Sequence, residues 1–280
     1  MSDSIRRFLF ERAPIRGEIA HLESAWQCVL ERHDYPPVLR VLLGELMAAA
    51  ALLAATIKFE GSLIIQMQGD GPVSLLVAEC DDAGALRATA KWRGEPEPGP
   101  LAAMLGDGRC AITLAAGPGK QSYQGIVGLE GGSVAAVLEH YLRRSEQIET
   151  RLWLAVDGGR AAGLLLQKLP QPGEDEDWRR AQHLADTLTA PELLGLTAYA
   201  LLRRLYANED VRLFDPRPLV FRCSCTRERV IAMLRMLGYD EVRAILAERG
   251  TVDVGCEFCG QSYRFDRREA ERVFAIASES

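Results

Sequence analysis

The chain has no excess of positive charge, and lysine in particular is scarce. Only four of its 33 basic residues are lysine, and 39 acidic residues leave a formal net charge of −6. Residues 221–280, which hold most of the cysteines, carry ten basic and ten acidic side chains. A protein that binds phosphate backbones or anionic lipid surfaces by general electrostatics needs a positive face. We therefore expect neither a nucleic acid nor a membrane as a partner.

Long apolar stretches are also missing. The N-terminal sequence MSDSIRRFLFERAP has no apolar run beyond Phe8, Leu9 and Phe10, a pattern unlike that of a secretory signal. The longest apolar run, residues 46–57, has 12 residues, whereas a transmembrane helix needs about 20. We interpret this run as a buried core helix and expect a cytoplasmic protein.

Histidine is rare, and the motifs of common hydrolases are absent. The four histidines lie far apart in sequence, and neither Gly-x-Ser-x-Gly nor His-Glu-x-x-His occurs. Glycines at 69–71 and 128–132 match no phosphate-binding fingerprint and are typical of hairpin turns. We therefore expect no enzymatic activity.

Residues 1–170 predict a mixed α/β domain, the larger part of an α+β protein. Apolar periodicity indicates helices at 21–32, 38–57 and 133–147. Runs rich in β-forming residues at 63–68, 73–80 and 85–92 are separated by short turns, which is typical of an antiparallel meander. Further strands are predicted at 111–115, 123–129, 151–156 and 163–169, with a turn at 117–119 between the first two.

Residues 171–218 predict a helical linker. The acidic segment PQPGEDED at 170–177 has the composition of a domain boundary. Thr189 and Glu192 form a capping box for a helix that runs to about Tyr206. Its apolar stripe has no core of its own, so we expect it to dock on the N-terminal domain.

Four of the seven cysteines form two close pairs near the C-terminus. Cys223 and Cys225 flank one serine, Cys256 and Cys259 flank two residues, and 30 residues separate the pairs. Four thiolates on two turns can complete the tetrahedral shell of one zinc ion. The sequence therefore predicts a zinc site.

The other three cysteines have a different setting. Cys28, Cys80 and Cys110 are scattered among apolar neighbours, where a free cysteine behaves as a small hydrophobic residue. We expect them to contribute to packing. A reducing cytosol also argues against a standing disulfide framework.

Residues 219–280 predict a small C-terminal domain around the two cysteine pairs. We expect strands at 219–222, 251–255 and 263–265 and helices at 227–237 and 241–249. Thr226 and Asp240 are the expected N-caps of the two helices, and Asp266 with Glu269 starts a third.

The energy of such a domain depends on its metal. A unit of about 60 residues has a marginal core, whereas a structural zinc contributes about 10–16 kcal/mol of apparent binding free energy. Zinc loss is therefore expected to unfold residues 219–280. The apolar residues expected to become exposed are Val230, Ile231, Leu234, Leu237, Ile245 and Leu246.

The chemistry of the four cysteines leaves two interpretations open. The zinc can be purely structural, or its release can be an oxidation switch. A single residue between Cys223 and Cys225 brings their thiols close together, and the small strained disulfide ring they could form would be easily reduced again. Such reversibility suits a sensor.

The sequence around the cysteines resembles one family. The strings LFDP at 213–216, FRCSCTRER at 221–229 and CEFCG at 256–260 are similar to those of heat shock protein 33, the redox-regulated 33 kDa chaperonin family. The strings QMQGDGP at 66–72, YQGIVGLEG at 123–131 and RSEQ at 144–147 resemble its N-terminal domain. The resemblance covers essentially the whole chain.

The resemblance implies a function. It implies a largely inactive reduced form with zinc on the four cysteines, and an oxidised form with disulfides Cys223–Cys225 and Cys256–Cys259. It also implies an ATP-independent holdase that forms a homodimer when oxidised and binds unfolding client proteins.

Two other functions remain as alternatives. A thiol-disulfide oxidoreductase would use Cys256 and Cys259, but its motif usually opens a helix after a strand, and here glycine and a second strand follow. A zinc-ribbon nucleic-acid-binding module would need a positive face, yet residues 221–280 have balanced charge and a zinc with four thiolates adds −2.

Overall fold

The computed structural model describes residues 2–117, 121–170 and 175–275. The chain divides into two compact units, Met1–Arg222 and Cys223–Ser280. Most of the turn predicted at 117–119 and the middle of the acidic segment at 170–177 lie outside the described residues.

The first unit contains two antiparallel-rich sheets. Its strands, in chain order, are β1 (Ser4–Phe10), β2 (Ile15–Leu22), β3 (Gly61–Gly69), β4 (Val73–Asp81), β5 (Ala85–Trp92), β6 (Gly108–Ala116), β7 (Tyr123–Gly128), β8 (Thr150–Val156), β9 (Ala161–Lys168), β10 (Val211–Leu213), β11 (Arg217–Pro218) and β12 (Val220–Phe221). The first sheet has the order β10-β1-β2-β9-β8, with β11 also paired to β1, and the second has the order β12-β5-β4-β3-β6-β7. The predicted meander is the β3-β4-β5 part of the second sheet.

The helices of the first unit fall into two groups. The domain helices are α1 (Ser24–Leu30), α2 (Pro37–Thr56), α3 (Leu101–Leu105) and α4 (Val134–Ser145), and the helices of the predicted linker are α5 (Asp175–Ala185), α6 (Ala190–Gly195) and α7 (Ala198–Leu205). The α+β architecture agrees with the sequence prediction.

Helix α2 forms the centre of the first unit. It begins with Pro37, whose fixed φ suits the first helical position, and it packs against strands of both sheets. The four alanines 48–51 are buried, because small side chains let a helix lie close to a sheet on each side. This helix is long and apolar enough to cross a membrane, but 78% of its most apolar 18-residue window is buried inside the protein. It is the core helix that the sequence predicted.

The linker helices pack on the first sheet. A second core joins Phe8, Ile19 and Leu164 from the strands to Leu201 and Leu205 from α7, among other residues. The expected docking of the apolar stripe on the N-terminal part of the chain is therefore confirmed.

The second unit is small and has its own core. It consists of α8 (Arg227–Leu237), α9 (Tyr239–Arg249), the antiparallel pair β13 (Val252–Gly255) and β14 (Ser262–Phe265), and α10 (Arg267–Ala275). The buried residues of this core are Val230, Leu234, Val242, Leu246, Val252, Phe265, Ala270 and Val273. Gly250 ends α9 in a left-handed conformation with φ 75°, which glycine adopts at little cost.

Several predicted elements were wrong in detail. The helix predicted at 21–32 begins only at Ser24, because His21 and Leu22 belong to β2. The helix predicted from Thr189 to Tyr206 is broken after Gly195, and Thr197 caps a new helix by accepting a hydrogen bond from the Ala200 backbone. Asp240 lies within the first turn of α9 instead of capping it.

The region before the first cysteine pair also differs from its prediction. The strand expected at 219–222 is the two-residue β12, which pairs in parallel with β5 of the first unit. The boundary between the units falls after Arg222, and the linker helices belong to the first unit. The predicted division into a core domain (1–170), a linker (171–218) and a C-terminal domain (219–280) therefore differs from the two compact units. It describes separate functional roles and stays a proposal.

Candidate metal centre

The first cysteine pair lies immediately before α8. The Thr226 hydroxyl caps this helix by accepting a hydrogen bond from the Arg229 backbone N–H at 3.3 Å. The Arg229 guanidinium in turn donates to the Ser224 hydroxyl at 2.6 Å. The start of α8 thus holds the residue between Cys223 and Cys225 in place.

The second pair lies in the turn between β13 and β14. The Gly260 N–H donates to the Cys256 carbonyl at 2.8 Å, and the Cys256 N–H donates to the Gln261 carbonyl at 2.9 Å. Gly260 has φ 72°, a left-handed conformation that most other residues adopt only with strain. These hydrogen bonds and the conformation of Gly260 fix the turn that carries Cys256 and Cys259.

The structure brings all four predicted ligands together. Their sulfur atoms lie within 4.8 Å of one another, with 3.6 Å between Cys223 Sγ and Cys256 Sγ and 3.3 Å between Cys225 Sγ and Cys259 Sγ. Tetrahedral bonds of about 2.3 Å to one zinc ion would place sulfurs about 3.8 Å apart. The four cysteines are therefore positioned to bind a metal ion, and an all-sulfur set suits a soft, tetrahedral one.

The thiols of the cluster differ in acidity. Burial raises the pKa of Cys223, but hydrogen bonds from Cys225, Cys256 and Cys259 outweigh it and bring this pKa down to about 7. Burial, reinforced by hydrogen bonds with the neighbouring thiols, raises the pKa of Cys259 to about 12. Four thiolates this close together would need a cation to compensate their negative charge.

One neighbour of the cluster was missed by sequence reasoning. The Tyr263 hydroxyl donates to Cys225 Sγ at 3.3 Å, and this contact raises the pKa of the phenol to about 12. The sequence indicated Tyr263 only as a strand residue. The signal that could have identified it is its register, since Tyr263 pairs with Val254 on the strand that leads into Cys256.

Two arginines near the cysteines in sequence contact acidic and aromatic side chains of the second unit. Arg227 forms an ion pair with Glu269 at 2.8 Å and lies over the Phe265 ring at 4.2 Å. Arg264 pairs with Asp253 at 2.6 Å. These contacts stabilise the small unit and do not depend on a metal.

The three remaining cysteines lie in the first unit. Cys80 and Cys110 are buried, and burial raises the pKa of each to about 12, so the packing prediction is confirmed for both. Cys28 is only partly buried. For Cys28 the packing prediction is therefore supported only in part.

A buried α+β core followed by a small unit with four clustered thiols defines a class of protein, namely one that joins a folded domain to a thiolate metal module. The comparisons with known proteins narrow this class. The family model described as Hsp33 protein matches residues 3–266. This chain belongs to the Hsp33 family.

Relatives and a solved structure agree with this assignment. The 33 kDa chaperonin of Methylobacillus flagellatus is 52% identical over 98% of this chain and 95% of its own length. That of Nitrosococcus oceani is 48% identical over 97% and 94%. The crystal structure of the 33 kDa chaperonin from Thermotoga maritima shares the fold, with a TM-score of 0.84 and 21% identity over 99% of this chain and 100% of that one.

Proposed function

We propose that this chain is a cytoplasmic, redox-regulated and ATP-independent holdase chaperone that is controlled by its four-cysteine site. The observation that carries the proposal is the cluster of four thiol sulfurs within 4.8 Å in a unit with a small core. Membership in a family of chaperonins supplies the chaperone part of the proposal.

In the reduced state, Cys223, Cys225, Cys256 and Cys259 hold one zinc ion. The support is the all-thiol donor set and the spacing of the four sulfurs, which fits the tetrahedral shell of one zinc ion. Bound zinc supplies a cross-link between the β13–β14 turn and the segment before α8. This cross-link stabilises the second unit, whose apolar core contains few residues.

Oxidation converts the zinc-binding thiolates into disulfides, which no longer bind the metal. Peroxide converts one thiolate to sulfenic acid and releases hydroxide, and a second thiolate then attacks the sulfenic sulfur, forming a disulfide and releasing another hydroxide. Two such events consume two peroxides and all four thiols. The disulfides proposed from the family resemblance are Cys223–Cys225 and Cys256–Cys259.

Loss of the metal unfolds the second unit. Its apolar core would lose a contribution of about 10 kcal/mol or more, which is comparable to the whole stability of a domain at about 5–15 kcal/mol. Val230, Ile231, Leu234, Ile245 and Leu246 would then become exposed, whereas Leu237 is already 48% exposed in the folded protein. The earlier expectation for Leu237 is thereby corrected.

Client binding follows from the apolar surface that appears. Unfolding of the second unit loosens α5, α6 and α7 from the first sheet, and their apolar faces capture unfolding proteins. The active form is an oxidised homodimer. Neither a nucleotide, a nucleic acid nor a membrane takes part, because thiol oxidation and metal release supply the free-energy difference between the states.

Zinc content and free thiols, measured on the same samples before and after peroxide, test the switch. We expect one zinc and seven free thiols per reduced chain, and no zinc with three free thiols after oxidation of the four-cysteine site. Zinc that stays bound after the thiols are oxidised would contradict the proposal.

Tryptic peptides identify the disulfide pairing. Cleavage after Arg222 and Arg227 places Cys223 and Cys225 in one peptide, and cleavage after Arg249 and Arg264 places Cys256 and Cys259 in another. The proposed pairing gives two separate peptides, each lacking two hydrogens. A single cross-linked species would instead indicate disulfides between the two pairs, as between the sulfurs that are near in the folded protein, Cys223 with Cys256 and Cys225 with Cys259.

The geometry does not favour the oxidoreductase alternative. Cys256 and Cys259 lie in a turn followed by β14, whereas a thioredoxin-like motif opens a helix, where the helix dipole activates the thiolate. We expect no catalytic turnover of disulfide reduction in an insulin assay.

A further inference from the structure

A cleft in the first unit has the composition of a ligand site. It has a volume of about 520 Å³ and lies where the C-terminal end of α2, the second sheet and the end of α4 meet the first sheet. Most of its wall is apolar and includes Leu53, Ile112, Leu114 and Leu142. Pockets of about 300–1,000 Å³ with apolar walls and a few polar groups are typical of small-molecule sites.

One end of this cleft carries the Arg16 guanidinium, and the charged side chains of Lys58 and Glu146 also line the cleft. Arg16 lies on β2 directly opposite Gln167 on β9, and its guanidinium donates twice to the neutral Gln167 side-chain oxygen. Gln167 is fixed in turn by donating to the Thr150 hydroxyl at 3.0 Å. Within the described part of the chain, Arg16 forms no salt bridge; burial and nearby Arg7 lower its pKa, and the charge of Glu18 only partly opposes them.

A second cavity adjoins the cleft at the same arginine. Its volume is about 400 Å³, and Arg7, Arg16 and Arg217 line it together with the carboxylates of Glu18 and Asp215. Glu18 is already paired with Arg7 at 2.8 Å. Arg7 also donates to the Ala55 carbonyl near the end of α2 at 2.7 Å, so Arg7 is engaged while Arg16 retains donors for an anion.

The apolar cleft and the Arg16 guanidinium at its end together indicate the chemistry of a ligand. We propose that the first unit binds a single-chain anionic amphiphile, with the anionic head on Arg16 and the apolar tail in the cleft. A guanidinium presents paired N–H donors that match a carboxylate or a phosphate. The site lies within Met1–Arg222, the unit that does not contain the four clustered cysteines.

Calorimetric titration of the reduced full-length chain tests the proposal. Decanoate should bind saturably at one site per chain, below its micelle concentration. Decanol lacks the charge and acetate lacks the tail, so each should bind at least about tenfold more weakly. Decyl phosphate, compared with decanoate, identifies which anionic head the arginine prefers.

Variants separate this site from nonspecific apolar binding. Arg16→Gln should weaken decanoate binding at least about tenfold, and Arg16→Lys should retain part of the affinity because it keeps the charge. Arg12→Gln is the matched control, since the Arg12 side chain is 86% exposed and its guanidinium lies 3.7 Å from the Asp210 carboxylate. Leu114→Trp should fill the cleft and reduce binding of decanoate.

Thermal unfolding of each variant, followed without ligand, shows whether the fold is retained. The proposal is overturned if decanoate does not saturate the wild-type chain. It is overturned equally if a folded Arg16→Gln variant binds decanoate as tightly as wild type, or if decanol binds as tightly as decanoate.

Discussion

Tyr263 is a single side chain whose hydroxyl contacts the four-cysteine site directly. It donates to Cys225 Sγ at 3.3 Å, and a hydrogen bond to a metal-bound thiolate disperses its negative charge and orients the ligand. We predict that Tyr263→Phe lowers zinc affinity about tenfold or more, measured by competition with a chromophoric chelator. Tyr199→Phe, at a tyrosine that is 63% exposed in the first unit, should leave the affinity unchanged. Equal affinities in all three proteins would show that the hydroxyl has no effect on the site.

Glu45 is a carboxyl group on the central helix that lacks a partner among the described residues. Burial raises its pKa from 4.5 to about 7. Between these two pH values the folded state binds more protons than the unfolded state, so the free energy of unfolding falls as pH rises through this window and is level above it.

Glu45→Gln should remove this pH dependence. We expect the variant to be more stable than wild type at pH 8, by about 1–3 kcal/mol, and to show little difference at pH 4. Urea unfolding followed by tryptophan fluorescence reports on the first unit, which contains Glu45, because all four tryptophans precede residue 222. Glu97→Gln, at an exposed position, is the control. A variant that is less stable at pH 8 would mean that the charged carboxylate is stabilised by the fold.

Helix α7 contributes buried residues to the core that the linker helices share with the first sheet. Leu201 is fully buried in the core shared by the linker helices and the strands. Leu201→Ala should cost about 2–5 kcal/mol locally, speed amide hydrogen exchange across α5–α7 and increase the anti-aggregation activity of the reduced protein. Arg203→Ala, on the exposed side of the same helix, should do neither. Faster exchange without added activity would separate linker release from client binding.

The elements that the sequence predicted well have local signals. Helix α8 begins and ends as predicted, because Thr226 supplies its cap and Gly238 follows its last turn. Strand β2 was missed because it pairs with both β1 and β9 and is buried on both faces. Such a strand loses the alternation of polar and apolar residues on which recognition depends.

The functional residues, like the strands and helices, were predicted only where the sequence carries a local signal. The cysteine spacing was sufficient to predict the four clustered sulfurs. The contact between Tyr263 and Cys225, and the position of Arg16 beside the cleft, join residues that are far apart in sequence. The strand register places Arg16 opposite Gln167, and the folding of the segment before α8 onto β14 brings Cys225 to Tyr263.

At the scale of the whole molecule, metal removal should unfold the second unit and loosen the linker helices α5–α7, while the rest of the first unit stays folded. The second unit has a core of few residues, whereas the first has two large cores. We predict that a strong chelator with reductant makes amide exchange fast throughout residues 223–275 and faster in α5–α7, while exchange in α2 stays unchanged. Protection that persists in α8 and α9 without metal would mean that the small core is stable by itself.

The central claim is that the oxidation state of the four cysteines controls client binding. The most direct measurement is light scattering of a heat-denatured client without nucleotide, with the same preparation in three states: reduced with zinc, peroxide-oxidised, and re-reduced with zinc restored. We predict strong suppression of aggregation by the oxidised protein and weak suppression by the other two. Equal suppression by the reduced, zinc-loaded and the oxidised, zinc-free protein would contradict the switch and leave a constitutive chaperone with a structural metal.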